Sequence, residues 1–129
     1  MSAFSNKTEA AIVNHFLRGV AQPASSTLYL ALFTADPGDE NIVNEATYDG
    51  YVRRVITFGE IDVNGDTSNE QDIYFPANNG ASQTIAAAAV VDQLTGGFLV
   101  LHGETTVSKV LETNDLLSFA AGGFTVNVD

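Results

Sequence analysis

The chain has no cysteine and no tryptophan, and only three prolines. Five basic side chains stand against sixteen acidic ones, a formal net charge of −11 over 129 residues. Without cysteine there is no disulfide scaffold, no thiol nucleophile and no cysteine-ligated zinc or iron–sulfur site. The shortage of positive charge leaves an acidic surface that repels phosphate backbones, which argues against nucleic acid as a partner. No apolar run is long enough to cross a bilayer, so no membrane role is expected. The opening residues, Met1-Ser2-Ala3-Phe4-Ser5-Asn6-Lys7, lack the apolar core of a secretory signal, so no secretory route is expected. Hydrophobic residues make up 45% and charged residues 16% of the chain. That balance suits one globular domain with a real core, and a single domain is expected over residues 1–129.

One segment has helical periodicity. Ile12, Val13, Phe16, Leu17 and Val20 recur on one stripe. Asn6 followed by Glu9 has the form of a capping box, while Gly19 and Pro23 mark the stop, so a helix is predicted over residues 6–19. Its stripe is expected to cover its own sheet. Residues 1–5 form an arm that can instead reach a neighbouring subunit, with Phe4 as a candidate contact. From residue 27 to 129 the chain reads as a β domain. Thr27–Thr34 is apolar on both faces, as in a strand covered on each side. Glu40 to Gly50 has no period and reads as a surface loop, Tyr51–Phe58 returns to strand composition, and Asn64-Gly65 favours a tight turn. Ile73–Phe75 is a short strand. The alanine-rich run Thr84–Val91 is predicted as a buried strand despite alanine's helix propensity, because it is short and flanked by glycines. Phe98–His102, Val107–Leu111, Leu116–Phe119 and Phe124–Val128 complete the set. About eight short strands with one N-terminal amphipathic helix predict a mainly β fold, an antiparallel sandwich or barrel-like domain.

Several of these segments, in order, resemble a family of small tailed-bacteriophage virion proteins often labelled phage tail-fibre proteins. The likeness runs from the amphipathic helix into Leu28-Tyr29-Leu30-Ala31-Leu32-Phe33-Thr34-Ala35-Asp36-Pro37. It continues through Glu45, Tyr51-Val52-Arg53-Arg54, Phe75-Pro76, Asp92, Gly96-Gly97, Gly103 and Asn114-Asp115 to Phe119-Ala120-Ala121-Gly122-Gly123-Phe124-Thr125-Val126. The chain departs from the family in lacking a tryptophan before Thr84, in its four-alanine run, and in carrying Asn114 where glycine is common. The resemblance implies a structural virion component assembled in the host cytoplasm.

Candidate sites are few. Asp62-Val63-Asn64-Gly65-Asp66 spaces oxygen ligands as a calcium loop begins, making Asp62, Asn64 and Asp66 candidate cation ligands. The pattern then fails, with Thr67 where glycine is required and Ile73 where a bidentate carboxylate is required, so a polar hairpin is expected and no metal or cofactor. His15 and His102 sit near no nucleophile motif and are read as structural. No catalytic constellation is present in the sequence, and the chain is expected not to be an enzyme. Arg53-Arg54 places two of the five basic residues together, and strand alternation sends them to opposite faces. The inward one needs a carboxylate, and Glu40, Glu45 and Asp49 in the acidic loop are the candidates, either within one chain or across subunits.

Within the virion class, capsid decoration is the first expectation: a small homo-oligomer binding and stabilising the major capsid protein lattice. A fibre shaft needs a repeat, and this sequence has none. The alternative is a tail-fibre-associated or adaptor protein contacting tail proteins. A third possibility is a carbohydrate-binding module, for which Tyr48 and Tyr51 are the candidate platform.

Overall fold

The computed structural model describes residues 2–23 and 27–127. Met1 of the predicted arm and Val128 of the last predicted strand lie outside them. In chain order the elements are β1 (Ser2–Phe4), α1 (Asn6–Phe16), β2 (Leu28–Phe33), β3 (Arg54–Ile56) and β4 (Asp66–Ser68). They continue with β5 (Ile73–Tyr74), β6 (Gln83–Val91), β7 (Leu99–Leu111), β8 (Ser118–Phe119) and β9 (Thr125–Asn127). The fold is mainly β and antiparallel, with the helix near the N-terminus, as the sequence predicts.

A five-stranded sheet in the order β1-β7-β6-β2-β3 forms the frame. The short ribbons β4-β9 and β5-β8 complete the pairing. Alternation along β2 explains the two cores. Leu30 and Leu32 enter a large cluster with Tyr48, Ile56, Phe75, Val90 and Leu111, while Ala31 and Phe33 enter a smaller one with Ala87, Ala89, Val91 and Leu99. The alanine run is a strand because β6 is central: β2 pairs on one side and β7 on the other, which overrides alanine's helix propensity. Its small side chains stand opposite β2 in the pairs Ala31–Ala89, Leu32–Ala88 and Phe33–Ala87.

Five local readings are corrected. The arm folds back on its own domain, since Ser2 to Phe4 pair with Gly103 to Leu101 as an edge strand. The helix ends at Phe16, short of residue 19, and its cap is Ser5, not Asn6. The buried Ser5 hydroxyl accepts the Thr8 N–H at 3.2 Å, and the Ser5 N–H donates to the Val100 carbonyl at 2.9 Å. At the far end Leu17 and Arg18 both donate to the Val13 carbonyl, and Gly19 turns left-handed at φ +67°, so the ladder cannot propagate. The predicted strands at 98–102 and 107–111 are one strand, β7, and the register against β6 shifts between Ile85 and Ala87 near their junction. The acidic loop is not wholly at the surface: the Ala46 N–H donates to the Leu32 carbonyl at 2.8 Å, and Ala46 and Tyr48 join the core. Finally, residues 66–68 pair with β9, an element the turn reading of the sequence did not include.

The β6 packing yields the first prediction. Ala89 is fully buried opposite Ala31. Ala89→Leu is expected to destabilise the fold by about 1–3 kcal/mol through overpacking, measured as a lowered urea midpoint.

Candidate functional site

Arg53 lies immediately before β3 and turns inward, with 5% of its side chain exposed. Its Nε donates to Glu45 Oε2 at 2.7 Å and its Nη2 to Glu45 Oε1 at 2.8 Å, a bidentate pair. Nη1 donates to the carbonyls of Gln93 and Gly96 at 2.7 and 2.8 Å. The Tyr51 hydroxyl donates to Glu45 Oε2 at 2.6 Å and accepts the Leu32 N–H at 3.1 Å. The pair therefore forms within one chain, and of the three candidate carboxylates it takes Glu45. Glu40 instead accepts from the Asn6 side chain at 3.3 Å, and Asp49 is exposed, its backbone carbonyl accepting the Asn79 N–H at 2.9 Å. Burial alone would raise the Glu45 carboxyl, but the Arg53 and Tyr51 hydrogen bonds and the Arg53 charge outweigh it and hold it below its ordinary 4.5. The bond to Glu45 raises Arg53, and burial, followed by the bond to Glu45, pushes the Tyr51 phenol well above its usual range.

Arg54 points the other way and is exposed, as alternation requires; its Nε donates to the Tyr74 carbonyl at 2.9 Å. It lines an open groove of about 640 Å³ with Tyr29, Val52, Val55, Asp72 and Tyr74. The proposed sugar platform is not there. Tyr48 is 5% exposed and donates to the Pro76 carbonyl at 3.0 Å, and Tyr51 is engaged with Glu45. Phe4 is half-buried and packs against the main core.

Asp62, Asn64 and Asp66 form the tip of a hairpin. Asp62 Oδ1 accepts the N–H groups of Asn64 and Asp66 at 2.8 and 3.0 Å, and Gly65 supplies φ +84°. Asp66 Oδ1 is buried without a hydrogen-bond partner. Among the described residues no cluster of three or more His, Asp or Glu side chains is placed to hold a metal ion.

His102, on β7, is 8% exposed and sits between two carboxylates. Nε2 is 2.6 Å from Asp39 Oδ1; Nδ1 is 2.6 Å from Asp36 Oδ1, off the line of a hydrogen bond. The Asp39 carbonyl accepts the Asn6 N–H at 2.9 Å, so this clamp ties the 36–39 turn to both β7 and the start of α1. His15 is exposed and meets Phe16 edge-on at 4.8 Å.

The feature sequence reasoning missed is the orientation of α1. The half-buried helix residues are Thr8, Ala11 and Asn14, whereas Ile12, Val13, Phe16 and Leu17 are exposed, Phe16 to 75% and Leu17 to 79%. Val20 beyond the helix is exposed too. The apolar stripe thus faces away from the sheet. The small residues at 8, 11 and 14 were the available signal, since they allow close approach to β1 and β7.

The Arg53 network supports a second prediction. Arg53→Met leaves Glu45 unpaired and is expected to cost about 3 kcal/mol near neutral pH. Because the Glu45 carboxyl is depressed, its contribution is complete above its unfolded value and disappears as pH falls through its folded one. The gap between wild type and Arg53→Met in urea midpoints should therefore be widest above about pH 5 and shrink on acidification.

A family model described as Podophage GP4 fiber I protein gp80 matches residues 3–127. No curated protein matches the chain. The match spans the sheet, both ribbons and the helix, and the chain belongs to the Podophage GP4 fiber I protein gp80 family.

Proposed function

We propose that this structural phage protein acts in the tail, as a fibre-associated or adaptor module joined to other virion proteins in several copies, and that it performs no catalysis. The observation that carries the reading is the family match to a fibre protein over residues 3–127. It favours the tail over capsid decoration, which had rested on the missing shaft repeat. A compact module does not build a shaft, but it can cap, join or seat one. The pairing of β1 with β7 and the contacts of Arg53 and His102 support that role, because they tie the N-terminal strand, the acidic loop and the 36–39 turn into one body that can be seated between partners.

Location and copy number test this reading. Immunogold labelling of intact particles is expected over the tail, with a band intensity that is a small fraction of the major capsid protein's. Label spread over the capsid at near-stoichiometric intensity would return the decoration reading.

A further inference from the structure

Two exposed features of the β domain match in shape and carry opposite charge. The first is the hairpin tip at residues 60–66. Turn residues are ordinarily polar. Here Ile61 and Val63 alternate with the exposed carboxylates of Glu60 and Asp62; Ile61 is 61% exposed and Val63 is fully exposed. The tip is internally braced. The Asp62 N–H donates to the Asp66 carbonyl at 2.9 Å, the Gly65 N–H donates to the Asp62 carbonyl at 3.1 Å, and Asp62 Oδ1 accepts the N–H groups of Asn64 and Asp66. It therefore presents an apolar knob flanked by carboxylates, with little ordering left to occur on binding.

The second feature is the open groove beside β3 and β5, where Val52, Val55, Tyr74 and Leu94 stand 37–60% exposed around Arg54. Arg54 is anchored through Nε on the Tyr74 carbonyl, and among the described residues no carboxylate pairs with its guanidinium. In a chain with sixteen acidic side chains, that leaves the terminal nitrogens of this arginine free for a carboxylate from outside. The other charged groups of the groove are engaged. Asp72 Oδ1 accepts the Ala121 N–H at 2.7 Å and Oδ2 the Tyr74 hydroxyl at 3.4 Å, while Arg53 is closed by Glu45. The groove fits an apolar side chain beside a carboxylate, and the tip offers that combination. Because Val63 is in water on its own chain, the contact requires a second copy. We propose that the 60–66 tip of one copy seats in the Arg54 groove of the next, with Ile61 and Val63 against Val52, Val55 and Leu94 and a tip carboxylate on Arg54. Unlike surfaces meet, so the contact is head-to-tail and propagates into a ring or a file of copies. The proposal rests on the multi-copy reading above and names the surfaces that join the copies.

The test uses the full chain in solution. Light scattering after size exclusion is expected to give at least twice the chain mass for wild type. Arg54→Glu disables the groove and Val63→Glu the tip; both residues are exposed, so both variants should stay folded by circular dichroism and associate roughly tenfold more weakly or less. Each variant keeps the half that the other lacks, so an equimolar mixture should recover a one-to-one dimer, which pairing through a single symmetric patch cannot do. The chain has no cysteine, so introduced thiols report contact cleanly. Val63→Cys mixed with Val55→Cys should form the mixed disulfide under mild oxidation, and Val63→Cys mixed with Val110→Cys, exposed outside the groove, should not. If either glutamate variant loses its fold, the two thiol mixtures decide alone. A wild-type monomer, an oligomer unmoved by both substitutions, a mixture that stays monomeric, or equal cross-linking in the two thiol mixtures would overturn the proposal. So would a monomer whose groove is instead filled by a different virion protein. A monomer that still labels the tail would refute these surfaces and leave the fibre assignment intact.

Discussion

The outer edge of β2 is shared by two segments. Residues 28–30 pair with β3, and beyond them Phe33 bridges to Glu45 while Ala46 donates to Leu32. A strand whose edge is divided in this way needs something at the junction, and Arg53 stands there. From one guanidinium it bonds Glu45 beside β2 and two carbonyls of the turn that connects β6 to β7. Glu45, eight residues away, and the turn at Gln93 and Gly96, 40 and 43 residues on, converge on one planar cation whose geometry matches a carboxylate. Four of its five N–H donors are used, which is the condition under which a buried ion pair does not destabilise its surroundings. The Tyr51 hydroxyl then passes the network to the backbone of β2 itself, at Leu32.

Beyond the sheet, the ribbons depend on buried asparagines. Asn78 is fully buried and donates to the carbonyls of Ala81 and Leu111, while its Oδ1 accepts the Gly80 N–H. Asn69 donates to Gln71 and Ala120 and accepts from Phe124. Each amide supplies a carbonyl and an amino group where irregular backbone would otherwise bury unpaired groups. The short strands around β4-β9 and β5-β8 can therefore be only two or three residues long and still hold position.

The helix shows how anchoring can outrank amphipathicity. Its first turn is bound through Ser5, Asn6 and the His102–Asp39 contact, and these fix which face meets β7. With the axis and rotation set at the N-terminus, the apolar stripe has no freedom to roll inward. Leaving Phe16 and Leu17 in water is a cost that this anchoring imposes on the chain.

The strand composition, the turn at Asn64-Gly65, the two-faced burial of β2 and the placing of Arg53 and Arg54 on opposite faces were all legible from residue order, because each follows from local alternation or from backbone preference. The single helix and the resemblance to a phage virion family were legible as well. Which carboxylate meets Arg53, which tyrosines are buried, where residues 2–4 pair and which way the stripe of α1 faces were decided only by the tertiary structure. These depend on contacts between segments distant in the chain, and nothing in local periodicity encodes them: a stripe specifies that a helix has an apolar side, while the anchors at its ends determine what that side meets.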